Sequence, residues 1–266
     1  MRIADRVFVV TGGGNGIGRE VVLRLLRDGA RVAALDVSEA GLAESARLAA
    51  AGDRLSTHAV DLADRGAVEA LAEEVRATHG QVDGLLNVAG IIQPFIPLAD
   101  LSYEQLEKVM DVNFWGVVHT VKTFLPLLRE RPEAALVNVS SMGALAPVPG
   151  QSGYGASKAA VTLLTQALQA ELQKTAVTVT TVFPGAIGTE ITKNSGVDMG
   201  RDRDDSAAAQ TTPADEAGRQ IVEAVEKGAT RVRIGKDAKL LDRLSRLIPA
   251  RVPGIIAKKM SYLIDP

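Results

Sequence analysis

The sequence predicts an α/β fold: a doubly wound parallel sheet of about seven strands, with helices on both faces in three layers, α/β/α. Three observations carry the prediction. Short β-branched runs alternate with longer stretches of helical period along the 266 residues. The first such run leads through a glycine-rich loop directly into the first helical stretch. No shift of composition divides the chain, so residues 1–235 read as one domain that includes a polar surface segment, 190–210, and residues 236–266 as a C-terminal extension.

Val7 to Val10 reads as a buried strand. After the glycines, Ile17, Val21 and Leu25 recur every four residues while Arg19, Glu20, Arg24 and Arg27 take the other face, and Gly29 supplies the stop. Val32 to Leu35 is the second strand, followed by a helix ending near Ala51; Ser56 to Val60 is the third, followed by a helix from about Asp64 to His79. Leu85 to Val88 is the fourth strand. A long helix from about Ser102 to Arg129 is entered through a Ser-x-x-Gln capping pattern at Ser102 and Gln105. Leu136 to Val139, a helix from about Gly153 to Lys174, and Val177 to Phe183 follow. Thr212 as cap, Pro213 at the first position and Asp215 and Glu216 in the first turn start a helix that Gly228 closes, and Arg231 to Ile234 is the seventh strand. The extension carries seven basic residues against three acidic ones, with Leu240, Leu241, Leu244, Leu247 and Ile248 as its apolar positions.

Thirty basic and 32 acidic side chains leave a net charge of −2, which removes the footprint of a nucleic-acid binder. With no cysteine there is no disulfide, no thiolate nucleophile and no cysteine-ligated zinc, and three scattered histidines (His58, His79, His119) leave no metal centre to expect. Arg2, Asp5 and Arg6 precede the first apolar run, so the amino terminus reads as neither signal peptide nor anchor, and a cytoplasmic location is expected. The uncharged stretch from Ala134 to Ser157 is too rich in polar residues, proline and glycine to span a bilayer as a helix. From Ala134 to Ala170 the only charged side chain is Lys158.

Thr11-Gly12-Gly13-Gly14-Asn15-Gly16-Ile17-Gly18 lies between a strand and a helix, the setting in which a glycine loop cradles a pyrophosphate. Side chains at Gly12 or Gly16 would hold the phosphates off the helix amino end, and Gly18 lets the helix pack closely; the alternative is an ordinary glycine turn. Asp36 ends the second strand, 18 residues past Gly18, where a carboxylate takes the adenosine ribose hydroxyls; otherwise it is a turn aspartate. Its charge disfavours a 2′-phosphate, and Asn15, Val37 and Ser38 beside it are neutral, so the expected cofactor is NAD rather than NADP. Tyr154 and Lys158, four apart in a helical stretch, point to one side, and an ammonium in an apolar setting would draw a phenol pKa down. The same spacing also fits a surface pair.

The glycine loop, Asp36, Asp61, Asn87-Val88-Ala89-Gly90, Asn113-x-x-Gly116, Ser140-Ser141, Tyr154-x-x-x-Lys158 and Pro184-Gly185-x-x-x-Thr189, in that order, resemble the short-chain dehydrogenase/reductase family, in its branch with the Thr-Gly-x-x-x-Gly-x-Gly loop. The resemblance covers about Val7 to Thr189, more weakly to Ile234, and implies a Rossmann-type fold. It implies that Tyr154 is the acid/base, that Ser141 hydrogen-bonds the reacting oxygen while Ser140 points away, that Lys158 lowers the tyrosine pKa and holds the nicotinamide ribose, and that Asn113 holds a relay water. It also implies that Asp61 meets the adenine, that Asn87, Ala89 and Gly90 line the adenosine side, and that Ile187 and Thr189 fix the carboxamide. Gly12, Gly14, Asn15, Gly16, Ile17, Gly18, Val37, Leu62, Pro184 and Gly185 complete the implied cofactor site. Val88, where the family commonly has a second asparagine, is a departure that bears on sheet packing.

The expected substrate is a neutral lipophilic ketone or secondary alcohol, walled by the segment 91–97 with Gln93, by Met142, Leu145, Val148 and Gln151, and by Trp115, unless these are core or subunit contacts. Lys193, Arg201 and Arg203 would instead suit a 3-oxoacyl thioester, or are solvated loop charges. A non-catalytic dinucleotide sensor would have no need of Ser141, Tyr154, Lys158 and Asn113. The resemblance further implies a homo-oligomer, tetramer or dimer, built on the two long helices. The basic tail reads either as a membrane-surface helix or as extra packing, with Pro249 and Pro253 interrupting it.

Overall fold

The computed structural model describes residues 1–197 and 211–260, together with Leu263. Among these, seven strands form one parallel sheet: β1 (Val7–Thr11), β2 (Arg31–Asp36), β3 (Leu55–Ala59), β4 (Gly84–Asn87), β5 (Ala134–Val139), β6 (Val177–Pro184) and, after two short strands described below, β9 (Arg231–Ile234). Their order is β3-β2-β1-β4-β5-β6-β9. Since β1 pairs with both β2 and β4, the connections run outward from the β1/β4 junction, and a crevice opens there beyond the carboxyl ends of the strands.

Alternate strand residues face opposite layers. Phe8 and Val10 pack with Val22 and Leu25 of α1 (Gly16–Arg27) and with Ile221 and Val225 of a later helix, α8 (Ala214–Lys227). Val9 and Leu35 pack on the other face with Val68 and Val75 of α3 (Arg65–His79) and Phe124 of α5 (Gly116–Arg129). All residues of β1, β4 and β5 are buried, which is why those runs are nearly continuous in apolar character. α2 (Glu39–Ala49), capped by Ser38, and α6 (Ser152–Glu171) complete the layers described so far.

Three elements differ from the sequence reading. The long helix over 102–129 is divided: α4 (Tyr103–Met110), which has the expected Ser102/Gln105 capping box, passes through a wider π turn at Asp111–Trp115 before α5. The widening accommodates Asn113, whose amide is bonded in both directions to the backbone of Ile91. Thr212 and Pro213 do not cap and open α8 as expected; they form β8 (Thr212–Pro213), a parallel partner for β7 (Ile187–Gly188), which places Pro213 at the cap itself. Helix α6 stops at Glu171, short of Lys174. Of the polar segment 190–210, Ile191–Asn194 forms a short helix, α7, and 198–210 lie outside the described residues.

The extension forms α9 (Lys236–Leu247) and α10 (Val252–Lys259). Leu241, Leu244 and Ile248 close on Val252, Ile256 and Ala146, so the apolar face that a membrane surface would need is spent on the protein, with Leu240, Leu247 and Ile255 left outside. Buried Asp242 draws Arg231 (2.6 Å), Arg233 (3.0 Å) and Arg246 (3.1 Å) around it, fastening α9 to β9. No helix among the described residues is long and apolar enough to cross a membrane.

The histidines are less scattered than the chain order suggests. On the edge strand β3, Ser56 Oγ joins His58 Nε2 (2.9 Å) and His79 Nε2 (2.8 Å), while His58 Nδ1 meets Glu74 at 3.3 Å. Among the described residues no three potential metal ligands gather there or elsewhere. Burial holds the His79 imidazole below its usual 6.5, with Arg31 and His58 adding to the effect and Asp53 opposing it. A depressed folded-state pKa gives stability that is complete above the unfolded value and is lost as pH falls below it. Between about pH 7 and about pH 5 the melting temperature of the wild-type chain should therefore fall more steeply than that of His79→Gln; parallel slopes in calorimetry would show that His79 does not titrate this way.

Candidate active site

The glycine loop is shaped by contacts with the protein itself as well as by any ligand. Gly12 and Gly16 have φ values of 72° and 49°, in the left-handed region, and a Cβ on Gly12 would lie 2.9 Å from Ala89 Cα. A Cβ on Gly18 would stand 2.1 Å from the Gly12 carbonyl oxygen, so the first turn of α1 lies too close to the loop backbone for a side chain there. Asn15 Oδ1 accepts the Gly16 N–H at 2.8 Å and caps α1, and Ile17 anchors the first turn in the core. Asp36 reaches back from the end of β2, Oδ2 accepting the Gly14 N–H and Oδ1 the Ser38 N–H, each at 2.9 Å, while Val37 beside it is 74% exposed.

The sequence neighbours of Asp36 are neutral, but the fold turns Arg19, the residue after Gly18, back onto the loop. Arg19 donates to the Gly14 carbonyl, to Gly41 O at 3.4 Å and to Ser45 Oγ at 3.0 Å, and Ser45 in turn donates to Gly13 O at 2.8 Å. These donors are spent on neutral oxygens that brace the loop. Thr189 crosses over from the segment after β6, its Cγ2 lying 3.3 Å from where a Cβ on Gly16 would sit. Asp61 is exposed and accepts the Ala63 N–H at 2.9 Å, whereas Leu62 turns into the core and its carbonyl accepts the Nδ1–H of His119 at 3.0 Å.

The Asn87 side chain turns inward, which leaves its backbone to line the adenosine side. Its side chain lies inside the sheet layer, donating to Asn138 Oδ1 at 2.9 Å and accepting from Thr120 Oγ1 at 2.8 Å, while Asn138 donates on to Thr165 at 3.0 Å. A buried polar chain of this kind is stable because each amide has partners. Thr11 does the work at the crevice: its Oγ1 accepts the N–H groups of Val88 (3.0 Å) and Ala89 (3.1 Å), tying the end of β1 to the turn after β4.

Beyond the carboxyl end of β5 the chemical groups converge. Ser141 and Tyr154 come together beside Gly143, where a Cβ would sit 3.4 Å from Ser141 Oγ and 3.5 Å from Tyr154 Cε1. Ser140 points away as expected, donating to the Lys158 carbonyl at 2.8 Å. Lys158 is 3% exposed; its Nζ donates to Val139 O at 3.1 Å and would lie 2.9 Å from a Cβ on Gly90, so a side chain at 90 would displace the ammonium. Burial brings Lys158 down to about 8. The expected pull of that lysine on the phenol is not what governs Tyr154 here: burial raises its pKa, and the Ser141 side chain is the opposing influence. Both amide donors of Asn113 are taken, by Ile91 O (2.9 Å) and Ser157 Oγ (3.0 Å), so its side chain has no donor left for a relay water.

A family model described as short chain dehydrogenase matches residues 6–200. The chain belongs to the short-chain dehydrogenase family. Among its relatives, the oxidoreductase SadH of Mycobacterium tuberculosis is 38% identical over 95% of this chain and 94% of its own. Levodione reductase of Leifsonia aquatica is 34% identical over 73% of this chain and 74% of its own. A crystal structure of levodione reductase superposes with a TM-score of 0.81 at 27% identity, covering 90% of this chain and 98% of that one. The 3-ketoacyl-(acyl-carrier-protein) reductase of Brucella melitensis, crystallised with NADH, gives a TM-score of 0.77 at 25% identity, covering 89% and 98%.

In this short-chain dehydrogenase the predicted substrate wall divides. Gln93, 1% exposed, is a scaffold: its amide donates to Gly150 O at 3.0 Å, its Oε1 accepts the Tyr154 N–H at 3.0 Å, and its carbonyl accepts from Gln151 at 2.7 Å. Gln151 is 4% exposed, and its Oε1 is buried with no partner. Met142 stays half-buried in the turn after Ser141, beside Leu145 and Val148. Trp115 is half-exposed and stacks on His119 with ring centroids 6.3 Å apart, an outer-surface position that its aromatic character alone did not reveal. Ser195, from the turn after α7, accepts the Ile92 N–H at 3.0 Å. Lys193 is exposed and pairs with Glu190 at 3.3 Å, and Arg201 and Arg203 lie outside the described residues.

Proposed function

We propose that the chain is an NAD-dependent oxidoreductase interconverting a secondary alcohol and a ketone. The observation that carries this reading is the grouping of Ser141, Tyr154 and Lys158 beside Gly90 and Gly143, on the crevice that the glycine loop borders. Left-handed Gly12 and Gly16 bring no side chain to the loop before α1, and Asp36 stands at the loop, so these residues fit a dinucleotide with an unsubstituted ribose. When bound, the cofactor supplies the hydride acceptor or donor. R₂CHOH and NAD⁺ give R₂C=O, NADH and a proton, and the protein manages the proton.

Tyr154 donates the phenol proton to the carbonyl oxygen in reduction, and its phenolate takes the hydroxyl proton in oxidation; Ser141 Oγ–H donates to the same oxygen. Lys158 steadies the phenolate and the nicotinamide ribose. Gly12, Gly14, Asn15, Gly16 and Ile17 receive the pyrophosphate, Asp36 the ribose hydroxyls, Asp61 the adenine, and Ile187 and Thr189 the carboxamide. Half-buried Met142 leaves an apolar wall for a neutral substrate; the relative levodione reductase is named for a neutral diketone, whereas 1-deoxy-11-beta-hydroxypentalenate dehydrogenase is named for an alcohol that also carries a carboxylate.

NAD-linked assays over a panel of secondary alcohols at alkaline pH, alongside 3-oxoacyl thioesters with NADH, test the reading. Turnover of neutral alcohols is expected, and turnover of the thioesters alone would replace it. The same reading assembles the chain as a homo-oligomer through α5 and α6, where Val118, Leu125, Pro126, Leu164 and Leu168 border an apolar groove. A monomer by sedimentation velocity would remove that part.

A further inference from the structure

Asp237 opens the C-terminal extension, in the first turn of α9, and faces back into the segment that follows β6. Its Oδ2 accepts the Ala186 N–H at 2.7 Å. Its Oδ1 occupies the space beside Gly185, where a Cβ would stand 2.0 Å away, and the space beside Gly235, where a Cβ would stand 2.4 Å away. Gly235 itself has φ 96°, so the chain turns sharply to bring the carboxylate inward. The neighbouring backbone groups are fixed by other strands: Gly185 N–H is held by Ile234 O at 2.8 Å, and Ala186 O accepts the Thr212 N–H at 2.9 Å. Asp237 is therefore the side chain that holds the first turn after Pro184, and the next residues are Ile187 and Thr189.

The carboxylate is itself anchored. Asp242, one turn further along α9, is tied to Arg231 and Arg233 of β9, and Leu241 and Leu244 of the same helix pack in the cluster that contains Ala146, five residues beyond Ser141. The extension thus touches both loops that flank the chemical groups.

We infer that Asp237 is a positioning residue that fixes the segment Gly185–Thr189 for the nicotinamide end of the cofactor. The inference rests on the NAD reading above. A loop held in place before binding avoids the ordering cost at the moment of binding, and a hydrogen bond to a charged acceptor supports it more strongly than a neutral one. The effect falls on the nicotinamide half of the ligand, because the glycine loop and Asp36 that meet the adenosine half are held by other residues.

Titration calorimetry of the full chain with NAD and with ADP-ribose, which lacks the nicotinamide, tests this. Asp237→Ala should weaken NAD by about tenfold, the scale of one charge-assisted hydrogen bond, and leave ADP-ribose within about twofold. Asp237→Asn, which keeps an acceptor for the Ala186 N–H, should bind NAD much more tightly than Asp237→Ala. A purely structural role would lower the melting temperature and leave the ratio of the two affinities unchanged. An unchanged ratio in Asp237→Ala, with wild type binding both ligands, overturns the inference alone; wild type binding neither overturns the cofactor reading as well.

Discussion

Tyr154→Phe is expected to lower kcat by about 10²–10⁴-fold, the range in which a positioned acid or base acts, while the dissociation constant for NADH changes less than about twofold. Phenylalanine keeps the ring and its packing beside Gly143 and loses only the hydroxyl. Burial raises the phenol pKa, so at neutral pH the group is a protonated acid, the form that carbonyl reduction requires. In the oxidation direction the phenolate is needed, and the supporting cation is Lys158, whose charge is lost as pH rises through about 8. Oxidation therefore gains from alkaline pH until the ammonium is titrated, and reduction needs no such rise. Steady-state kinetics paired with NADH fluorescence titration separate the two halves of the prediction: turnover within about tenfold of wild type would take the proton-transfer role away from Tyr154.

The architecture was legible because its signals are local and repeated. A strand buried on both faces must be apolar along most of its length, as Val7 to Val10 are throughout and Leu136 to Val139 are but for Asn138, and a helix on such a sheet must be apolar on one side only. The chemical residues were legible for a different reason: Lys158 stands alone in an uncharged region, and a cation isolated in the sequence proved to be buried in the fold. Less legible was where a side chain points. Asn87 turns inward because Thr120 and Asn138, 33 and 51 residues away, supply its partners, and Asn138 was itself a visible anomaly, an amide in a strand that is otherwise apolar. Gln93 and Gln151 look like substrate contacts from the sequence and serve mainly to brace the start of α6. The π turn at Asp111–Trp115 has no periodic signature, since it exists to bring Asn113 to Ile91 across the fold. Arg19 and Asp237 were missed because each acts through backbone groups that no residue type announces, Asp237 on a segment 51 residues away.

Asp36→Asn is expected to erode the preference for NAD over NADP by about 10²–10³-fold in kcat/KM, mainly through a gain with NADP. The carboxylate is fixed by the Gly14 and Ser38 N–H groups, each at 2.9 Å, and each oxygen keeps a second lone pair for a ribose hydroxyl. A 2′-phosphate in the same place brings like charge: at about 4 Å and an effective dielectric of about 20, the repulsion is roughly 4 kcal/mol. Asparagine removes the charge and retains an oxygen for one of the two backbone donors, so the loop keeps much of its support while the repulsion goes. Arg19, held on the Gly14 and Gly41 carbonyls and on Ser45, keeps its charge there and offsets only part of the wild-type repulsion. Freed from the carboxylate, the same region becomes net positive, and the gain with NADP should shrink at high salt, as an exposed charge effect must. Ratios measured with both cofactors at low and high ionic strength check both parts; an unchanged ratio in Asp36→Asn would mean that cofactor choice is made by shape at the ribose and not by charge.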